Sequence, residues 1–251
     1  MIHLKDVHLH YSLLGCRNDS LKSYLFKILK GEKERVDRIH ALKGVSFTIQ
    51  SGERVGILGH NGSGKSTLLK AIAGLYPISQ GKCIVTGEVR SLFELSLGFE
   101  CEATGRENIL YRGLLLGQTP SRMKDLEREI IQFADIGEFI DYPVKTYSAG
   151  MLVRLAFAVS TFISGDILLI DEVIGAGDAA FMQKASNRLK ELILSAKIVV
   201  LVSHDLSALR NFCNRLLLLQ KGSLIFDGEI EEGIAFYQKL ISEKKYDHSV
   251  L

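Results

Sequence analysis

One run restricts this chain more than any other: Gly59-His60-Asn61-Gly62-Ser63-Gly64-Lys65-Ser66-Thr67, which fits G-x-x-x-x-G-K-[ST]. It follows a short apolar run, Arg54 to Leu58, read as a strand. It leads into Lys65 to Gly74, where apolar residues recur at helical spacing up to a glycine stop. A backbone that wraps a triphosphate needs glycines, because its N–H groups must point inward and side chains would block the approach. Lys65 brings a positive charge to the β- and γ-phosphates, Ser66 offers a hydroxyl to Mg²⁺, and the helix adds its positive N-terminal dipole. A glycine-rich turn that merely joins two elements lacks this order of strand, loop and helix. Gly59 to Thr67 are therefore candidate ATP-binding residues.

Such a loop requires an α/β fold, and the rest of the chain supplies one. Residues 2–9 and 45–50 read as strands. Short apolar strands also fall at Ile167 to Ile170, Ile198 to Val202, Arg215 to Leu219 and Ser223 to Phe226. Helical patterns separate the first three of these, at about Ala179 to Ala196 and Leu206 to Asn211. Buried strands alternating with helices argue for a mostly parallel sheet covered on both faces. Between the two halves, Arg106 to Leu116, Ser121 to Ala134 and Ala149 to Ile163 form a helical block. The expected organisation is one domain, with a nucleotide-binding core from 1–94 and 165–251 and a helical subdomain at 95–164.

The strand Ile167-Leu168-Leu169-Ile170 ends in Asp171-Glu172. In a doubly wound sheet this brings Asp171 to the edge that carries the phosphate loop. Asp171 is a candidate Mg²⁺ ligand, and Glu172 a candidate base for the attacking water. Solvated acids at a strand end are common, so the pair gains its meaning from the loop. His204, just past another apolar strand, is either a solvated strand-end residue or a sensor of the γ-phosphate.

Tyr147-Ser148-Ala149-Gly150-Met151 opens a helix, with Ser148 as its cap and Gly150 free to approach a ligand. This run resembles the signature sequence of ABC transporter ATPases and lies between the loop and Asp171, where that family has it. The resemblance covers nearly the whole chain: phosphate loop, signature, Asp171-Glu172, a D-loop from Gly175 to Asp178, and a switch histidine at His204. It implies a P-loop ATPase of ABC type with N-terminal antiparallel strands and an inserted helical subdomain. It further implies that Ser148, Ala149, Gly150, Met151 and Asp178 join nucleotide binding, and that two copies form composite sites. Tyr-Ser-Ala-Gly-Met, Asp171-Glu172-Val173 leading to Gly177-Asp178-Ala179, and Thr104-Gly105-Arg106-Glu107-Asn108 look like the ATPases of polysaccharide and teichoic-acid exporters. These move lipid-linked glycans such as O-antigen across the bacterial inner membrane. The implied partners are a membrane permease and a second copy of the chain, at the cytoplasmic face. Tyr11 stands where ABC domains often place an adenine-stacking aromatic; an ordinary strand-end tyrosine reads the same way.

Two features depart from the pattern. The Q-loop glutamine is missing: its position holds Leu95, and Glu94 is the nearest polar candidate for contact with Mg²⁺ or water. Many O-antigen relatives also carry a C-terminal glycan-binding β-sandwich, whereas this sequence stops at Leu251; the expectation is either an ATPase that recognises no glycan end or a piece of a longer chain. Residues 16–40 form an insertion with seven Lys or Arg and four Asp or Glu. Leu21, Leu25, Ile28 and Leu29 recur there at helical spacing, giving an expected amphipathic helix that suits a membrane surface or permease.

Composition closes off other classes. Lys plus Arg at 31 against Asp plus Glu at 29 leave a net charge of +2, which gives no reason to expect nucleic acid as a partner. Charge-free stretches such as Leu155 to Gly165 fall short of the ~20 residues a membrane span needs. The N-terminus lacks a signal-peptide pattern, and Cys16, Cys83, Cys101 and Cys213 show no zinc spacing, so free thiols in the cytoplasm are expected. Rival readings are another transport ATPase, disfavoured by the signature variant, and a soluble ABC protein acting on ribosomes or DNA. The latter usually carries two such domains or long coiled coils. A regulatory subunit without turnover is argued against by Glu172.

Overall fold

The computed structural model describes residues 1–12, 38–93, 98–171 and 178–247. Two sheets form the core. In the first, β1 (Ile2–Ser12) lies between β2 (Arg38–Ile49) and β4 (Gln80–Val85), antiparallel to both. The second runs β5-β6-β7-β3-β8-β9, from β5 (Val89–Ser91), β6 (Ile167–Asp171), β7 (Ile198–Val202), β3 (Arg54–Leu58), β8 (Arg215–Gln220) and β9 (Ser223–Glu229). All pairs in it are parallel except β8 with β9.

The continuous apolar runs of β6, β7 and β8 arise because both faces of this sheet are covered. Period-2 alternation divides them: Ile167, Leu169, Val200, Val202, Leu217 and Leu219 face the three-stranded sheet. Leu168, Ile170, Val199, Leu201, Leu216 and Leu218 face the opposite side. Helix α1 (Lys65–Ile72) is held between the two sheets, with Leu68, Leu69 and Ile72 buried. The opposite side is closed by α5 (Ala179–Ser195), α6 (Leu206–Phe212) and α7 (Ile230–Asp247), through Ile193, Leu209 and Ile234.

Between β5 and β6 stand α2 (Gly105–Leu115), α3 (Pro120–Ala134) and α4 (Ala149–Phe162). Their own core, with Ile109, Ile130, Phe133 and Phe157, also takes in Phe181 and Ala185 of α5. Three cations on that seam hold the C-terminal carbonyls of helices, where the backbone lacks donors and the dipole favours positive charge. Lys184 Nζ donates to the carbonyls of Phe133 (3.0 Å) and Gln132, Arg154 to that of Asp135 (3.1 Å), and Arg188 to that of Thr161 (3.1 Å). Each also lies over a phenylalanine ring: Lys184 over Phe133, Arg154 over Phe181, Arg188 over Phe162.

The structure corrects several sequence boundaries. Arg38 to His40 belong to β2, paired with Ser12, Tyr11 and His10, so the insertion ends before residue 38. Residues 16–37, with the expected amphipathic helix, lie outside the described residues, as do Glu94, Leu95, Glu172 and Gly175 to Gly177. Strands β4 and β5 and helix α7 are additions to the sequence reading.

Candidate functional site

The parallel strands bring their carboxyl ends to one edge, where ligands of open α/β sheets bind. Register fixes the order along it. Ile57 of β3 pairs with Val202 of β7, which pairs with Asp171 of β6. At about 4.8 Å per strand, Asp171 thus sits two strands, about 10 Å, from the strand that feeds the loop. His204, two residues past the end of β7, lies between them and is exposed.

The loop is built around its glycines. Gly59 has φ 152°, and a Cβ there would lie 2.3 Å from the Leu219 carbonyl oxygen and 2.6 Å from Ser63 Oγ. Gly64 has φ 104°, with the Ala41 carbonyl 2.9 Å from where its Cβ would stand. Lys65 is buried between the sheets, its ammonium donating to the carbonyls of Gly59 (2.8 Å) and His60 (3.1 Å). The His60 carbonyl also accepts from the Ser63 N–H at 3.1 Å, which closes the turn.

These features fit a phosphate. No side chain caps α1 and no acid lies in its first turn, so its N-terminal N–H groups are available to an anion. Among the described residues Ser63 Oγ, which is buried, has no hydrogen-bond partner, and it lies beside the cradle that a Cβ at Gly59 would fill. Ser66 is exposed at the start of the helix, and Asp171 is half-exposed at the strand end. Among the described residues no group of three His, Cys, Asp or Glu gathers to hold a metal. A Mg²⁺ carried on phosphates needs only one or two protein oxygens, which Ser66 and Asp171 can supply.

Tyr11 reaches this site from the other sheet. Its hydroxyl lies 2.9 Å from Thr67 Oγ1, and its ring meets Tyr76 edge-on at 5.5 Å. Ser148 caps α4 by accepting from the Met151 N–H at 3.2 Å, while Ser148 and Ala149 are exposed. A Cβ at Gly150 would meet nothing nearer than Ser148 Oγ at 3.9 Å, so this helix start presents open backbone. Asp178, expected among the nucleotide-binding residues, has partners within its own chain. It caps α5 by accepting from the Phe181 N–H (2.8 Å) and pairs with Arg154 through its other oxygen. Both oxygens are engaged within the chain, and the Phe181 N–H followed by the charge of Arg154 holds its carboxyl below the usual range. Sequence reasoning passed over Arg154, although its place six residues after Ser148 puts it on the signature helix.

Comparison with known proteins places the chain in a family. A family model described as ABC transporter matches residues 42–175. The chain is 41% identical over 232 residues to the O-antigen export system ATP-binding protein RfbE of Yersinia enterocolitica, covering 90% of this chain and 97% of that protein. It is 40% identical to the O-antigen export system ATP-binding protein RfbB of Myxococcus xanthus, but spans only 56% of that relative's length. The teichoic acids export ATP-binding protein TagH of Listeria innocua is 37% identical, with 96% of this chain and 70% of that protein covered. In fold, the chain matches a dimeric ATP-binding cassette solved in a post-hydrolysis state with ADP and Pi. The TM-score is 0.68 at 24% identity, over 92% of this chain and 99% of that one.

Proposed function

The chain belongs to the ABC transporter family, and we propose that it is the ATP-hydrolysing subunit of an exporter carrying a lipid-linked polysaccharide across a bacterial inner membrane. The observation that carries this reading is the extent of likeness to the Yersinia O-antigen export protein, 41% identity across 97% of its length.

The loop N–H groups and the uncapped start of α1 bind the triphosphate, and Lys65 neutralises its β/γ end. Ser66 and Asp171 hold the Mg²⁺, with Glu94 as a further oxygen. When bound, that ion offsets charge on the phosphate oxygens. Glu172 takes the proton of the attacking water, and His204, at the edge between Asp171 and the loop, hydrogen-bonds the γ-phosphate. The Tyr11 ring faces the adenine. Open backbone at Ser148 to Met151 suits a phosphate presented by a second copy of the chain, so two chains complete two sites. The likeness to ATP-binding proteins of export systems supports a separate permease as the cargo path, with this subunit at its cytoplasmic face; no described helix is long and apolar enough to cross a membrane. Tyr111, Leu114 and Leu115 of α2 are exposed apolar residues on the helical block and offer that permease a dry surface.

The test is deletion of the gene in its host, with complementation by wild type and by Lys65→Ala and Glu172→Gln. Loss of a surface polysaccharide, restored by wild type alone, is expected. Unaltered surface glycans would refute the cargo while leaving ATP hydrolysis standing. The likeness to the Listeria protein favours teichoic acid as a second cargo reading, and the identity of the polymer lost decides between them.

A further inference from the structure

The first two residues of the phosphate loop are bracketed from the same side of the fold. Gly59 abuts the Leu219 carbonyl of β8, and the His60 ring lies 5.8 Å from the ring of Tyr237, tilted by 49°. That separation is within the range of favourable aromatic pairs. Tyr237 is on α7, whose seat on β8 and β9 is firm. Ile234 is 1% exposed, and a Cβ at Gly233 would come within 2.5 Å of Leu216 and 2.8 Å of Phe226. Phe236 stacks on Phe226 at 5.7 Å, and Glu231 pairs with Arg210 of α6 at 3.0 Å. The helix is therefore a fixed mount, and Tyr237 is its point of contact with the loop.

The backbone of His60 carries two of the bonds that shape the site. Its carbonyl accepts from Lys65 Nζ and from the Ser63 N–H, both at 3.1 Å. Rotation of this peptide would move the phosphate-facing ammonium and the turn together, and the exposed His60 side chain is the handle by which it can be held. We propose that Tyr237 is a positioning residue for ATP binding, acting through His60 to hold the loop in its phosphate-ready form. This rests on the ATPase reading, and it assigns to the C-terminal helix a part in nucleotide affinity that no motif encodes.

The experiment compares wild type, Tyr237→Ala, Tyr237→Phe, His60→Ala and Tyr237→Ala/His60→Ala in the full chain. Steady-state ATPase kinetics and equilibrium binding of a fluorescent ATP analogue are measured for each. Tyr237→Ala should raise KM and Kd by about 3- to 10-fold, the range an aromatic contact supports, with kcat changed by less than about two-fold. Tyr237→Phe should restore both, and His60→Ala should raise Kd at least as much as Tyr237→Ala does. The double variant should be no worse than His60→Ala alone, because both remove the same contact. Unchanged affinity in Tyr237→Ala, or multiplicative effects in the double variant, would overturn the proposal. If Tyr237→Ala does not fold, Tyr237→Leu keeps the apolar bulk and takes its place. The binding measurement needs no turnover, so it reads this contact even where the export or hydrolysis reading fails.

Discussion

Two glycines of the phosphate loop provide a controlled test of what the loop is built to exclude. Gly59→Ala would set a Cβ 2.3 Å from the Leu219 carbonyl oxygen, at φ 152°. That carbonyl cannot retreat easily, since β8 is paired with β3 on one side and with β9 on the other. The loop must move by roughly 1 Å instead. The conformational cost of an L-residue there is about 1–2 kcal/mol, and overpacking against a closed wall adds about 1–3 kcal/mol. Gly62→Ala carries a similar conformational cost at φ 76° but meets nothing within 4 Å. The two variants should therefore differ by about 1–3 kcal/mol in stability, or about 2–12 °C in melting midpoint for a domain of this size. A 1 Å displacement of a binding group also costs up to about 10²-fold in rate, so ATP turnover in Gly59→Ala should fall by about 10- to 100-fold. Urea titration, thermal melts and phosphate release measure both quantities. Equal midpoints for the two variants, or wild-type turnover in Gly59→Ala, would refute the steric argument.

Other perturbations have equally definite outcomes. Arg215 donates to the Thr48 carbonyl and Glu53 at 2.8 Å and to Asp227 at 2.7 Å, and Arg215→Met should lower unfolding free energy by about 2–4 kcal/mol in urea titrations. The Glu107 carboxyl is held below its ordinary range by the Thr104 N–H and then the Thr104 hydroxyl, so this capping box stabilises the fold above the unfolded value near 4.3. That contribution is lost as pH falls through the lower folded value, and Glu107→Gln should flatten the acid side of a melting-midpoint profile. In a Glu172→Gln background, ATP should shift sedimentation from monomer to dimer, and Gly150→Asp should abolish the shift. Replacing residues 16–37 with a Gly/Ser linker should leave ATPase activity intact and stop export in cells.

What the sequence disclosed was local or strongly patterned. The loop could be read because its chemistry is written in consecutive residues, and β6, β7 and β8 because strands buried on both faces are apolar throughout. Strand β4 stayed hidden: Gln80, Gly81 and Lys82 are exposed at a sheet edge and leave no alternation to read. The first half of β2 was obscured by Lys43 and by Gly44, which sits at φ 68° beside a register shift. Helix α7 opens with two acids and a glycine, although Ile230, Ile234, Tyr237 and Leu240 do recur at helical spacing and could have revealed it. Tyr237 against His60 and Arg154 against Asp178 join residues distant in the chain, and nothing in one sequence marks such pairs.

The order of strands also sets when the surroundings of the phosphate loop can be completed during synthesis. Val55, on the strand that feeds the loop, pairs with Val200 on one side and Arg215 on the other. From the end of β3 at Leu58 to the end of β8 at Gln220, a ribosome adding about 5–20 residues per second needs roughly 8–30 s. The antiparallel pairing of β1 with β2 and the packing of α2, α3 and α4 can form meanwhile, since their partners are already made. Strand β3 finds its first partner when β7 is made and its second only when β8 follows. A nascent chain halted before Leu219 lacks the carbonyl that stands behind Gly59, so the phosphate loop meets its full wall only once β8 is made.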